Sequence, residues 1–244
     1  MKDLLIYGSG GLAREVAYII YDINLEKVEW NIVGFIDDDK SRWGKILNGI
    51  KVLGDIEFLN SYSKDVYVII SIADPKMKKR IVEKISSNVH IEYPTIIHPG
   101  VKISDYSGIG EGCVISYGCI LSTNCVLGNH VFLNFRVVIG HDAVVEKYAS
   151  IMTDSIVSGD VEIKEGAYLG TGVITIQNIS IGKYSVIGAG AVVTKDIPDN
   201  TTVFGCPAWE IKKTKKIEAC LSRLPEYIKR LKEIEEKLKQ IHHS

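Results

Sequence analysis

Residues 103–127 read ISDYSGIGEGCVISYGCILSTNCVL, and an aliphatic residue occurs at every sixth position of this stretch. The spacing continues without insertion to Val193, with an interruption at Thr175. A period of six fits neither an α-helix of 3.6 residues per turn nor an amphipathic strand of period two. It predicts short strands joined by tight corners, with three hexads per coil, stacked into a parallel β-helix of triangular cross-section. The aliphatic positions are Ile103, Ile109, Ile115, Leu121, Leu127, Leu133, Ile139, Val145, Ile151, Val157, Ile163, Leu169, Ile181, Ile187 and Val193.

Small residues occupy further fixed positions of the hexad. Glycines such as Gly110 and Gly128 directly follow an aliphatic residue, and we expect them to allow the backbone geometry of the corners. Cys113, Cys119 and Cys125 share one position in consecutive hexads, so we interpret them as interior packing groups and not as metal or redox ligands.

Charge and composition exclude several classes of protein. The chain has 244 residues, with 29 basic and 30 acidic side chains, so it offers no basic field to a nucleic acid. No run of about 18 apolar residues is present, and we predict no membrane insertion. Five cysteines are an odd number, which argues against a closed disulfide framework and favours the cytoplasm.

Residues 4–98 show a different pattern, in which short apolar runs alternate with helical periodicity. The runs 4–7, 32–36 and 66–70 predict strands, while residues 12–23 and 76–86 predict helices. This alternation is typical of a small parallel α/β sheet with right-handed crossovers. Such sheets bind ligands at the carboxyl ends of their strands.

Glycines at the end of the first predicted strand indicate a nucleotide site. Gly8-Ser9-Gly10-Gly11 would let backbone N–H groups approach a phosphate at a helix N-terminus, although a tight strand–helix turn explains the same residues. About ninety residues suffice for one mononucleotide-binding half, which favours a nucleotide with one base attached to another group. Asp37 and Asp38 are candidate partners of a base or ribose, or residues of a solvated turn. The candidate substrate-binding residues are Gly10, Gly11, Leu12, Asp37, Asp38 and Ala73.

The order of motifs along the chain resembles a known family. Gly8–Gly11, Phe35-Ile36-Asp37-Asp38, Ile97-His98-Pro99 before the repeat and Gly205-Cys206-Pro207-Ala208 at its close resemble the sugar O-/N-acyltransferases of the sialic acid O-acetyltransferase and bacillosamine N-acetyltransferase type. The resemblance covers about residues 3–212. It implies a left-handed β-helix, a homotrimer, and acetyl-CoA bound along the groove between neighbouring prisms.

The resemblance also assigns candidate catalytic residues. His141 matches the catalytic histidine and Asp142 its acidic neighbour, with Asn134 as a further polar group. An imidazole titrates near pH 6.5 and can accept the proton that an attacking amine or hydroxyl must lose. Adjacent residues of a strand point to opposite faces, so Asp142 can orient His141 only where a corner intervenes. Carry-over from the family places the coenzyme along Ser150, Thr171, Gly188 and Ala189.

We therefore expect three parts: a nucleotide-sugar-binding βαβ domain over 1–98, a β-helix acyltransferase domain over 99–212 and a helical extension over 213–244. Pro225 is expected to begin a helix whose apolar stripe either packs on the prism or forms a three-stranded coiled coil. No metal site is expected, because a third histidine ligand is missing from the repeat.

The leading hypothesis is an acetyl-CoA-dependent N-acetyltransferase acting on the amino group of a nucleotide-linked amino sugar, a precursor of a cell-surface glycan. In this hypothesis His141 is the general base and the acetyl group is transferred directly. The alternatives are an O-acetyltransferase of sialic acid or a related sugar, and a non-catalytic scaffold that binds nucleotide sugars.

Overall fold

The computed structural model describes residues 1–242, with side chains described up to Lys239. The N-terminal domain has a six-stranded sheet in the order β3-β4-β2-β1-β5-β6, parallel except for the β3–β4 hairpin. Its core strands match the predicted ones closely, whereas the hairpin and the short helix after it were not predicted. The elements are β1 Lys2–Tyr7, α1 Gly11–Glu26, β2 Trp30–Ile36, a 3-10 turn Lys40–Arg42, β3 Ile46–Leu47, β4 Ile50–Gly54, α2 Ile56–Asn60, β5 Val66–Ile70, α3 Pro75–Ile85 and β6 Ile91–Glu92.

The hexad region forms the predicted triangular prism of parallel strands, each mostly two residues long. Face 1 contains every third strand from β7 to β22, followed by β24 and its antiparallel neighbour β25. Face 2 contains every third strand from β8, and face 3 every third strand from β9. The strands are β7 Ile96–Ile97, β8 Lys102–Ile103, β9 Gly108–Ile109, β10 Val114–Ile115, β11 Ile120–Leu121, β12 Val126–Leu127, β13 Phe132–Leu133, β14 Val138–Ile139, β15 Val144–Val145, β16 Ser150–Ile151, β17 Ile156–Val157, β18 Glu162–Ile163, β19 Tyr168–Leu169, β20 Ile174–Thr175, β21 Ser180–Ile181, β22 Val186–Ile187, β23 Val192–Val193, β24 Thr202–Phe204 and β25 Trp209–Glu210.

The hexad aliphatics fill the prism, as their spacing predicts. From Ile115 to Val193 each of them is at most 2% exposed, and Cys113, Cys119 and Cys125 are fully buried among them. Burial raises the pKa of the Cys113 thiol to about 11, so it is an unreactive packing group. Thr175 is tolerated inside because its hydroxyl accepts a hydrogen bond from the Ser158 amide at 3.0 Å.

The role expected for the corner glycines was wrong in its mechanism. At most corners the left-handed residue comes two positions later; it is glycine at 112, 118, 166, 172 and 190, and elsewhere often Asp, Asn or Tyr, as at Asp142 with φ 56°. Glycines that follow the aliphatic residue are needed because the next coil's backbone lies against them. A Cβ on Gly128 would come within 2.6 Å of the Lys147 amide nitrogen, and one on Gly170 within 2.7 Å of the Ala189 nitrogen.

The N-terminal domain packs on face 1 of the prism. Helix α1 shares a core with Ile96, Val114 and Phe132, the outward residues of that face. From α3, the fully buried Lys78 reaches the prism, where its ammonium nitrogen donates to the His130 carbonyl at 2.8 Å and to the Ser150 hydroxyl at 3.0 Å. Desolvation lowers the pKa of Lys78 to about 7. These contacts fix the two domains relative to each other.

Helix α4 spans Ile211–His242 as one helix. The expectation that Pro225 begins the helix was wrong, because Pro225 lies inside it. The helix begins where β25 ends, and its first turns are rich in good helix formers and fastened to the prism by Thr214, whose hydroxyl lies 3.1 Å from the Phe204 carbonyl. Among the described residues, no helix is long and apolar enough to cross a membrane.

Candidate functional site

The corner between faces 2 and 3 carries the predicted base. His141 lies between β14 and β15, with 57% of its side chain exposed. Its Nδ1 atom is 2.8 Å from the Asp142 carboxylate. The left-handed backbone of Asp142 supplies the turn that a regular strand would lack, and so it brings two consecutive side chains to the same side. The corner that Asp142 needs in order to orient His141 is therefore present in the structure.

The Asp142 carboxylate is held from a second side as well. Asn124, one coil below, donates to its other oxygen at 3.0 Å. The hydrogen bonds from His141 and Asn124 lower the pKa of Asp142, so it stays ionised at neutral pH. Asp160, one coil above, has a carboxylate oxygen 3.8 Å from His141 Nδ1. Asn124 and Asp160 were missed by the sequence reasoning, although their eighteen-residue separation from Asp142 in the hexad register would have indicated both.

The other ring nitrogen of His141 is free to act on a substrate. Nδ1 faces carboxylates, which favours the tautomer with the proton on Nδ1 and a lone pair on Nε2. Among the described residues, Nε2 has no hydrogen-bond partner, and the ring lies against the backbone of Gly159. A Cβ at position 159 would collide with the imidazole, so Gly159 makes room for the ring.

Asn134 is not part of this corner within one protomer. It lies before the corner between faces 1 and 2, where its side-chain oxygen accepts from the Phe135 amide at 2.8 Å. Strand β14 separates it from His141, on the order of 20 Å of extended chain. The structure thus does not bring these two predicted residues together in one chain.

The predicted coenzyme residues divide between two environments. Thr171 and Ala189 are exposed and lie one above the other on the corner between faces 1 and 2, next to Gly188. The Gly190 amide donates to the Thr171 carbonyl at 2.8 Å. Ser150 is fully buried against Lys78 at the domain interface. We correct its assignment, because its side chain has no surface to offer a coenzyme and instead helps to join the domains.

The glycine turn of the N-terminal domain is tied to the end of β2. One Asp37 oxygen accepts from the Ser9 amide at 2.9 Å and also from the Ser9 hydroxyl, and the other oxygen accepts from the Asp39 amide at 3.0 Å. Gly8 has φ 104°, which permits the sharp exit from β1. A cleft of about 330 Å³ over this turn is lined by residues that include Gly8, Ser9, Gly10, Gly11, Leu12, Asp37 and Ala73.

A second cleft, of about 250 Å³, adjoins the first at the same sheet edge. Asp37 and Asp38 line one side of it, and Asp38 accepts from the Tyr7 hydroxyl at 2.9 Å. Arg80 and Lys84, one turn apart on α3, line the other side, and neither has an ion-pair partner among the described residues. These two cations were missed by the sequence reasoning. Their position on the helix that follows a strand of the predicted sheet could have indicated them.

Two further groups of side chains contain a histidine. One ligand atom each of His141, Asp142 and Asp160 lies within 4.8 Å of the others, a donor set that a divalent cation could use, but all three side chains are exposed. His130, the other prism histidine, is stacked on Tyr148 with ring centroids 5.4 Å apart. Burial lowers the pKa of His130 to about 4, so it is a neutral packing group at neutral pH.

Comparisons with known proteins agree with this architecture. Residues 3–85 match the family model described as the PglD N-terminal domain. The chain is 33% identical over 216 residues to a GDP-perosamine N-acetyltransferase of Escherichia coli O157:H7, and the match covers 86% of this chain and 96% of that protein. The chain belongs to the bacillosamine/perosamine type of sugar acyltransferases.

Solved structures similar to this chain have the same fold. The acetyltransferase domain of PglB from Neisseria gonorrhoeae FA1090, determined in complex with acetyl coenzyme A, aligns with a TM-score of 0.78 and 27% identity over 86% of this chain and 99% of that chain. WeeI from Acinetobacter baumannii AYE aligns with a TM-score of 0.78 and 26% identity over 86% of this chain and its own full length. The fold class predicted from the sequence, an α/β unit followed by a left-handed β-helix and a C-terminal helix, is confirmed.

Proposed function

We propose that this sugar acyltransferase transfers the acetyl group of acetyl-CoA to the amino group of a nucleotide-linked amino sugar. The observation that carries the proposal is the exposed His141–Asp142 pair, with Nδ1 2.8 Å from a carboxylate that is held in place and Nε2 free. The match to a GDP-perosamine N-acetyltransferase over nearly its whole length favours an amino group over a hydroxyl as acceptor.

The chemistry is a direct transfer. The sugar amine attacks the thioester carbonyl carbon, and His141 Nε2 accepts the proton that the nitrogen loses. A carbon–nitrogen bond forms, and the carbon–sulfur bond of the tetrahedral intermediate breaks. The imidazolium then gives its proton to the departing thiolate, which leaves as free coenzyme A. Asp142 stabilises the imidazolium and holds the ring orientation throughout.

The N-terminal clefts are proposed to bind the nucleotide. The glycine turn presents backbone amides at the start of α1, and Arg80 and Lys84 supply two unpaired cations for a diphosphate. Both oxygens of Asp37 are already occupied, by Ser9 and Asp39, so we propose that Asp37 shapes the turn. Asp38 is more exposed and uses only Oδ1, which accepts from Tyr7 and from the Ile56 amide, so we propose that its other oxygen contacts the base or ribose. The two adjoining clefts open at the carboxyl ends of the parallel strands, where this class of fold binds ligands.

The geometry of the prism favours a site shared between copies. The N-terminal domain covers face 1, and His141 lies on the corner between faces 2 and 3, opposite to face 1. A nucleotide sugar held by one protomer therefore cannot approach His141 of the same protomer without crossing the prism. We propose that it reaches the histidine of a neighbouring copy in a homotrimer.

An exposed apolar ladder supports this assembly. The outward residues Ile120, Ile156 and Ile174 of face 2 are 45%, 41% and 41% exposed, and half-buried Val138 and Val192 complete the column. A row of this kind is typical of a surface that is covered by another protein. Packing face 2 against a neighbour would bring the corner with Thr171 and Ala189 of one copy near the corner with His141 of the next. Acetyl-CoA would bind along that seam, with Gly188 beside it.

Incubation of the purified protein with acetyl-CoA and a panel of nucleotide sugars tests the function. The panel pairs GDP- and UDP-linked amino sugars with counterparts that carry a hydroxyl in place of the amino group, and with free sialic acid, and thiol release and product mass are measured. We expect amide formation on an amino sugar, at least 100-fold slower in His141→Ala. Ester formation on a hydroxyl would favour the O-acetyltransferase alternative. Nucleotide binding without thiol release would favour the scaffold, and full turnover in His141→Ala would contradict the assignment of the base.

A further inference from the structure

Helix α4 leaves the body of the protomer and exposes an apolar face. Every described side chain from Lys215 to Lys239 is exposed, so this stretch of nearly 40 Å packs against nothing in its own chain. Leu224, Leu231 and Leu238 are 48%, 59% and 51% exposed. A single helix without tertiary contacts is marginally stable in water, so the helix needs a partner along this face.

The spacing of the apolar residues identifies the kind of partner. Because the helix continues upstream of Pro225, the pattern extends back to Ile217 and has a strict seven-residue repeat. A seven-residue repeat drifts around a straight helix and is satisfied by supercoiled helices, whereas a flat lipid surface requires no such drift. Two series of residues, each with members seven positions apart, make up this repeat, and together we call them the seam. One is Ile217, Leu224, Leu231 and Leu238, at heptad position a; the other is Cys220, Tyr227 and Ile234, at position d. Ile241, the next residue of the d series in the sequence, lies beyond the described side chains.

We propose that α4 forms a parallel three-stranded coiled coil with the α4 helices of two further copies of this chain. Leu at a with Ile at d, as at Leu231 and Ile234, favours three or four strands over two. Leu221 and Ile228, at the flanking position e, are 60% and 45% exposed and widen the apolar face, so that each helix can contact two neighbours.

The charges flanking the seam agree with parallel packing in register. The g positions are all basic, and the e position five residues after Arg230 is Glu235, so this pair meets across neighbouring parallel helices. The basic g residues are Lys216, Arg223, Arg230 and Lys237. Pro225 occupies an outward b position and does not enter the seam.

A similar solved structure is shorter than this chain by about the length of α4. The match to the PglB acetyltransferase domain covers 99% of that chain but 86% of the 244 residues here, which leaves roughly 34 residues unmatched. Helix α4 has 32 residues. The coil would thus clamp the trimer at one end of the prisms without supplying a group to the reaction.

Hydrogen exchange on the full-length protein tests the coil. The proposal predicts that backbone amides of residues 221–239 exchange at least 100-fold more slowly than in an unstructured peptide, and that Leu231→Asp removes this protection. Lys229→Asp, at an outward f position, is the matched control, since Leu and Lys are comparable helix formers. Fast exchange in the wild-type protein, or equal loss of protection in both variants, overturns the proposal.

Distance measurements between spin labels test the number and direction of strands. With Cys206→Ser and Cys220→Ala as background, a label on Lys215→Cys sits at position f near one end of the helix, and a parallel coil predicts one narrow distance of roughly 20–30 Å. Adding Leu231→Asp should abolish that peak. If the amides are protected but the labels lie more than 40 Å apart, the helices pair antiparallel or pack on another surface. If protection appears only with anionic phosphatidylglycerol vesicles, the partner is a membrane. Each of these results overturns the coil. A protein that keeps its trimeric mass and acetyl transfer while α4 exchanges freely also overturns it, and leaves the proposed function intact.

Discussion

Gly159→Ala tests the proposed base without removing any atom of it. A Cβ at position 159 would lie 2.9 Å from Cδ2 and 2.5 Å from Cε1 of the His141 ring. Carbon atoms in contact are separated by about 3.5 Å, so the ring must move by roughly 1 Å. Misplacement of a reacting group by about 1 Å costs on the order of 100-fold in rate, which corresponds to about 2.7 kcal/mol of transition-state stabilisation.

Stability should not fall in this variant. The backbone of Gly159 lies outside the left-handed region, so alanine fits its conformation and reduces the entropy of the unfolded chain. The His141 side chain is 57% exposed and can swing into solvent. We therefore expect an unchanged or slightly higher melting temperature together with the loss of turnover.

The assay compares kcat/KM for acetyl transfer with the melting temperature, and Gly108→Ala is the matched control. Position 108 is also on the prism, but a Cβ there meets only Val126, at 4.0 Å. Gly108→Ala should keep wild-type turnover. Wild-type kcat/KM in Gly159→Ala would refute the placement of Nε2 at the reaction centre, and an equal loss in both variants would show that the effect is not specific to His141.

Three further predictions follow from the site and the domain interface. Asp142→Asn should lower kcat about 10- to 100-fold between pH 8 and pH 9, where the Asp142 carboxyl, whose pKa is lowered, is fully ionised in the wild-type protein; wild-type kcat in that range contradicts its role. Arg80→Ala and Lys84→Ala should each raise KM for the nucleotide sugar about tenfold and make that KM less dependent on salt concentration, while KM for acetyl-CoA stays unchanged. An equal rise in KM for both substrates would exclude a diphosphate contact. Burial lowers the pKa of Lys78 to about 7, so between pH 7 and pH 10 the unfolded chain holds more protons and the free energy of unfolding should rise with pH, by up to about 1.4 kcal/mol per unit. Thermal unfolding of the wild-type protein and of Lys78→Met checks this, because the difference between their free energies of unfolding should change between pH 7 and pH 10. A difference that stays constant over this range would contradict the prediction.

The prism was predictable from sequence because the same position is buried in every coil. One aliphatic every six residues fixes the strand, the face and the column, so the spacing alone is enough to stack residues that lie eighteen apart. The strands β1, β2 and β5 were predictable for a similar reason, because continuous apolar runs are typical of a buried parallel sheet. The hairpin β3–β4 has short, partly exposed strands and no such pattern.

The candidate site was predictable only in part, because spacing along the chain does not give the side on which a domain packs. His141 and Asp142 are neighbours whose pairing follows from one left-handed residue. Ser150 and Ile156 occupy the same hexad position, yet Lys78 from a distant helix covers the first, whereas the second is 41% exposed. Contacts across such an interface depend on tertiary packing, which no local pattern encodes.

Subunit complementation tests the central claim most directly. Differently tagged His141→Ala and Arg80→Ala/Lys84→Ala chains are co-expressed, and mixed oligomers are purified through both tags. Where one copy supplies the base and its neighbour supplies the nucleotide cleft, one site in three of every mixed trimer combines an intact histidine with an intact cleft. We expect acetyl transfer from acetyl-CoA to the nucleotide amino sugar to recover to that level, well above either variant alone. Activity no greater than the sum of the two variants would contradict a site shared between protomers.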